Sequence, residues 1–120
     1  MPKKNFVNSL RDAFRGLILF FTSELHALYH SIAAVIVIAF GFIFGVNLTE
    51  WAVLTIAIGL VFTSEFANTV IERMMNMIHP DRHQEVGRIK DMAAGMVLFC
   101  SLIAVVLGIL VFSPYILEFI

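Results

Sequence analysis

A chain of 120 residues is short enough to be one domain, and 60% of it is apolar while only 14% is charged, about half the charge of an ordinary soluble domain. A soluble protein of this size could not hide so much apolar surface, because small domains bury too little of their area; a wholly aqueous fold is excluded, and the solvent must be partly lipid. The net charge of −1 gives no footing for nucleic acid, and the lone Cys100 rules out an intrachain disulfide and reads as an inert thiol in apolar surroundings.

The first element in chain order is a segment over 5–24. Phe6, Leu10, Phe14 and Leu17 recur at steps of three and four, and Lys3, Lys4, Arg11 and Arg15 supply basic charge. That pattern predicts an amphipathic helix lying in the membrane interface or packed on the bundle. It is too polar for a cleavable signal peptide. Three stretches follow that can cross a membrane, a task requiring about 20 mostly apolar residues as helix. The predicted membrane helices cover about 27–47, 51–78 and 91–117. Between Leu25 and Thr49 the only side chains able to carry charge at neutral pH are His26 and His30, and Met92 to Leu117 has no charge at all. The middle span is apolar from Trp51 to Ser64 and then continues in helical pattern through Glu65 and Glu72 to Ile78, so its second end is polar. Asn47 and Thr49 are candidate caps in the short first connection. Pro80 marks the second, the polar 79–90 segment. Gly41 and Gly45 stand four apart, a spacing that permits close helix contact but is common by chance.

Charge sets the orientation. All eight Lys and Arg residues fall either before the first span or at Arg73, Arg82, Arg88 and Lys90. Basic residues mark the cytoplasmic side, and three spans place the amino terminus and the second connection together. The amino terminus and the 79–90 connection are therefore expected in the cytoplasm and the carboxyl terminus outside.

Carboxylates are costly inside a membrane. Glu65, Asn68, Glu72 and Asn76 follow steps of three, four and four, which places them on one face of a helix. Glu65 and Glu72 are then about 10 Å apart along the axis. Glu24, Lys90 and Asp91 fall at the same end. A polar interface gluing helices is the bland alternative, but Ser, Thr or Asn more often serve that purpose. Several carboxylates at one depth need a cation, and oxygen ligands beside the cytosol point to Mg²⁺ held by one or two carboxylates together with phosphate oxygens. No Walker A pattern and no protein-kinase glycine loop is present, so nucleotide chemistry requires another scaffold.

The run Glu65-Phe66-Ala67-Asn68-Thr69-Val70-Ile71-Glu72, followed by Gly87-Arg88-Ile89-Lys90-Asp91-Met92-Ala93-Ala94-Gly95, resembles the prokaryotic diacylglycerol kinase family, which includes the undecaprenol kinases. The resemblance implies an all-α membrane protein, an interfacial helix plus three membrane helices, assembled as a homotrimer in the bacterial inner or plasma membrane. It implies ATP and a membrane lipid as substrates. By the same resemblance Glu24 and Glu72 are ligands of the Mg²⁺ on ATP, Glu65 is the general base for the lipid hydroxyl, Asn68 lies beside the reacting phosphate, and Lys90 and Asp91 contact the nucleotide. Two positions depart from the family pattern. Asn76 stands where an Asp is usual, and His26 where the undecaprenol branch often has Asn. His30 matches a His common in that branch. His26 and His30, at i and i+4, are spaced to bind a transition metal, although interfacial hydrogen bonding is the commoner use of such a pair.

The expected activity is transfer of the ATP γ-phosphate to the hydroxyl of diacylglycerol, giving phosphatidic acid. Thr69 and His30 lean toward undecaprenol, and the compact Gly-Arg-x-Lys-Asp-Met run toward diacylglycerol. Rival readings of other classes are a small proton-coupled transporter, whose key carboxylate should sit nearer the midplane, and a silent structural relative.

Overall fold

The computed structural model describes residues 5–120; Lys3 and Lys4 of the basic amino-terminal cluster lie outside the described residues. Those residues form four helices and no strands: α1 (Phe6–Ser23), α2 (Leu25–Phe44), α3 (Leu48–Ile78) and α4 (Gln84–Phe119). The last three are long and apolar enough to cross a membrane.

Helix α1 starts because the Asn5 side chain accepts the backbone N–H of Asn8 at 2.8 Å, satisfying one of the donors that a helix start leaves open. Phe6, Leu10, Phe14 and Leu17 form an exposed apolar stripe. Near its end Thr22 and Ser23 turn their hydroxyls back onto the carbonyls of Ile18 and Leu19, bonds that compete with the helical ladder and loosen it. Glu24 then adopts an extended conformation, φ −108° and ψ 120°, and closes α1 while opening α2. Its side chain makes no cap bond to α2, which leaves the carboxylate for other work.

Helix α2 stops at Gly45, whose φ of 66° is a left-handed conformation open chiefly to glycine. Gly41 has a different task. The indole of Trp51 lies directly over it, so an added Cβ would fall 2.5–3.0 Å from ring carbons. The two glycines four apart are thus a packing contact and a helix stop. A capping box opens α3: the Asn47 side chain accepts from Glu50 N–H at 2.8 Å and the Glu50 carboxylate accepts from Asn47 N–H at 3.0 Å. The same carboxylate accepts a bond from the Tyr115 hydroxyl of α4, tying the two helices at this end.

Helix α3, at 31 residues, is about 46 Å long and exceeds the ~30 Å hydrocarbon thickness, so its polar end extends beyond an apolar layer. Helix α4 begins at Gln84, seven residues before the membrane helix expected at 91. The segment expected as a connection over 79–90 is therefore non-helical only over 79–83. The reason is local: the His83 side chain accepts from Val86 N–H at 3.4 Å, Glu85 lies in the first turn, and Arg88 approaches Glu85 at 3.6 Å. An acidic first turn and an i,i+3 ion pair both favour helix there. Polar residues thus form the first two turns of α4.

Helix α3 packs chiefly on α4, with α2 along α3 and α1 against the start of α2. Val46, Leu54 and Val111 form the small buried core, flanked by Phe44, Trp51 and Phe112, at the end carrying Gly45. Outward, Leu98, Phe99, Leu102, Val105, Val106 and Ile109 of α4 are all more than half exposed. Such a stripe is tolerable only against lipid or another protein surface. Replacing Gly41 with Ala is expected to push Trp51 aside and destabilise the fold by about 1–3 kcal/mol, the usual scale of overpacking, read as a lower melting midpoint by circular dichroism in detergent.

Candidate active site at the polar end of the bundle

The candidate residues form a gradient along one face of α3. Glu65, Asn68 and Thr69 are buried, and Glu72 and Asn76, one and two turns on, are exposed. Glu65 is only 3% exposed. An isolated carboxylate at such depth carries a large desolvation cost unless partnered. Its partners come from α2: His30 Nε2 lies 3.3 Å and His26 Nδ1 3.8 Å from its oxygens. The i,i+4 histidine pair therefore serves Glu65. Among the described residues no set of three His, Cys, Asp or Glu side chains converges as a metal site.

Asn68 sits one turn further along. Its Oδ1 is buried and, among the described residues, has no hydrogen-bond partner. Buried polar atoms in native proteins are nearly always satisfied, so an open acceptor one turn from Glu65 is unusual. Below it an apolar groove of about 300 Å³ runs between α2, α3 and α4, from His30 and Phe62 at its head toward Leu54 and Phe112, with Ala33, Ala57 and Gly108 among its small lining residues.

Glu24 reaches the site through the break between α1 and α2. Arg73, the residue after Glu72 on α3, donates to Glu24 Oε1 at 2.8 Å and to Ser23 Oγ at 3.0 Å. Phe20 stacks on Phe66 with ring centroids 4.4 Å apart, and Phe21 meets Phe62, so the end of α1 is clamped along α3 above Glu65. Glu24 is thereby brought to the turn of α3 that bears Glu72. Across the second connection, Lys90 Nζ donates to Asn76 Oδ1 at 2.6 Å. An Asp at 76 would neutralise that ammonium, whereas Asn fixes its position and leaves its charge intact. Asp91 lies beside Lys90, exposed, in the second turn of α4.

The pattern of a buried carboxylate, an orphaned amide and exposed acidic and basic residues can now be set against known proteins. A profile described as prokaryotic diacylglycerol kinase matches residues 11–112. The chain belongs to the prokaryotic diacylglycerol kinase family. Within that kinase family it is 32% identical over 109 residues to the undecaprenol kinase of Bacillus subtilis, covering 91% of this chain and 89% of the relative. It is 29% identical over 115 residues to a diacylglycerol kinase of Synechocystis sp., covering 95% of this chain but 66% of that protein. Family membership makes the chain a membrane-embedded lipid kinase relative, a phosphotransferase by descent.

Two contacts escaped the sequence reading. In the sequence Arg73 marks only the edge of the span, and its grip on Glu24 is visible only once the end of α1 meets α3. The i,i+4 spacing of the histidines pairs them with each other and not with Glu65, although an acid at membrane depth on one helix and two bases on one face of its neighbour is the available signal. Because the His30 side chain is itself 25% exposed and is not left wholly buried when its partner is removed, Glu65→Leu is expected to leave melting unchanged or to raise stability by about 1–4 kcal/mol. Thermal denaturation in detergent checks this; a marked loss would mean that Glu65 holds the bundle together.

Proposed function

We propose that the chain transfers the γ-phosphoryl group of ATP, as its Mg²⁺ complex, to the hydroxyl of a membrane lipid. The observation carrying this reading is that Glu65 lies buried one turn beyond Phe62 at the head of an apolar groove, beside the unpartnered Asn68, with exposed Glu72 further along the same helix. A lipid chain in the groove would present its hydroxyl at Glu65, and a polyphosphate would meet Lys90 from water. Phosphoryl transfer depends chiefly on positioning and charge neutralisation, and both are within reach of this arrangement.

The donor set suits Mg²⁺, which takes one or two carboxylates and fills its remaining positions with phosphate oxygens and water. Glu24 and Glu72 would hold it, and the ion would neutralise phosphate charge. For Glu24 to do so, Arg73 must release it. Glu65 takes the proton of the lipid hydroxyl as that oxygen bonds to the γ-phosphorus, while the bond from γ-phosphorus to the bridging oxygen breaks and the electron pair leaves with ADP. Asn68, whose Oδ1 is buried and unpartnered one turn on, helps orient the hydroxyl. Lys90, held by Asn76, contacts phosphate oxygens, with Asp91 at the nucleotide's edge.

For the acceptor we favour undecaprenol over diacylglycerol. Thr69, His30 and the nearly full-length match to the Bacillus relative support it. The Gly87-Arg88-x-Lys90-Asp91-Met92 run and the Synechocystis relative support diacylglycerol as the second reading. We further propose a homotrimer in the bacterial inner or plasma membrane, with the amino terminus and the 79–90 region in the cytoplasm and the carboxyl terminus outside, as the clustering of basic residues at one end implies.

Purified protein incubated with γ-labelled ATP, Mg²⁺ and each lipid tests the reading. Label is expected on undecaprenol in excess of diacylglycerol, with loss of transfer on chelation of Mg²⁺. Glu65→Gln is expected to lower kcat about 10²- to 10⁴-fold, the range of general-base catalysis; full activity would remove Glu65 from that role. No label on either lipid would leave the silent or transporter readings. Asn76→Asp is expected to raise the KM for ATP roughly two- to fivefold, the scale of an exposed ion pair, by tying up the charge of Lys90; an unchanged KM would separate Lys90 from the nucleotide.

A further inference from the structure

We infer that His30 is a positioning residue for Glu65, aiming its carboxylate at the lipid hydroxyl; this rests on the kinase reading above. Glu65 is buried on α3, and among the described residues the basic groups that reach it are His30 and His26 of α2. The two are not equivalent. His30 is nearer, at 3.3 Å against 3.8 Å, and its side chain is 25% exposed where that of His26 is 71% exposed. Edge-on contact with Phe62, one turn before Glu65, restricts the His30 ring further, with centroids 6.3 Å apart at 76°. His30 also stands at the head of the apolar groove, so one imidazole borders both the path of the lipid and the group that would activate it. His26 is the water-facing member of the pair. A general base works only when its lone pair is aimed at the proton it takes. A carboxylate on one helix has rotational freedom that a rigid ring on the next helix removes.

The test compares His30→Leu with His30→Gln, whose amide N–H can still reach the carboxylate. His30→Leu is expected to lower kcat roughly 10- to 100-fold, the scale of a small misplacement at a reacting centre, without moving the KM for ATP. His30→Gln is expected to recover kcat to within a few-fold of the wild type. In a Glu65→Gln background, His30→Leu should cost nothing further. The inference is overturned if His30→Leu keeps wild-type kcat, if both variants lose activity equally, or if the KM for ATP rises in step with the loss. An inactive wild type would count against the kinase reading alone, and a second measurement then decides the contact. In ¹⁵N-histidine-labelled protein the His30 imidazole signal, assigned with His30→Gln, must shift on Glu65→Gln and stay in place on Glu85→Gln. A signal unmoved by Glu65→Gln overturns the inference.

Discussion

A carboxylate buried between membrane helices is the constraint around which the polar half of this protein is arranged, because burying Glu65 without a partner would cost more than a few van der Waals contacts return. The histidines of α2 answer that demand at the depth where the apolar groove ends. One turn on, Asn68 is left without a partner. The fold thus satisfies one buried group and leaves its neighbour open. Stability alone would have placed Leu at 65 and Ala at 68.

The second organising contact is Arg73 with Glu24. It exists because the chain breaks after Ser23, where two hydroxyls bond back into the helix that they end. An uninterrupted helix through residue 24 would carry the acid away along its own axis. The break turns Glu24 into a residue of the α3 surface. The guanidinium that receives it also bonds to Ser23, so one side chain of α3 fastens both residues at the break.

Much of this architecture was legible in the order of the residues, since a membrane demands long apolar runs and leaves charge only at their ends. The uncharged stretch Met92 to Leu117 and the stepped acids from Glu65 to Glu72 each follow from such a demand. The early start of α4 was not legible: Gln84 to Lys90 is as polar as a loop, and the helix there depends on a histidine cap and a surface ion pair whose weight composition does not reveal. Nor was the partnership of His30 with Glu65. They are thirty-five positions apart in sequence, and only the packing of α2 on α3 decides which face of each meets the other. Asn76 was readable as a departure from the family pattern, but its bond to Lys90 depends on where α4 begins.

The two ends of the molecule are held by unlike forces. Near Gly45, close contact of Trp51 with Gly41, the Glu50–Tyr115 bond and the buried Val46, Leu54 and Val111 grip the helices together. Toward Glu65 the helices meet through the His30–Glu65 and Arg73–Glu24 contacts and the stacked rings of Phe20 and Phe66. Such a bundle is riveted at one end and buttoned at the other: a lost methylene near Gly45 leaves a void, whereas a lost polar atom near Glu65 leaves its partner unmatched.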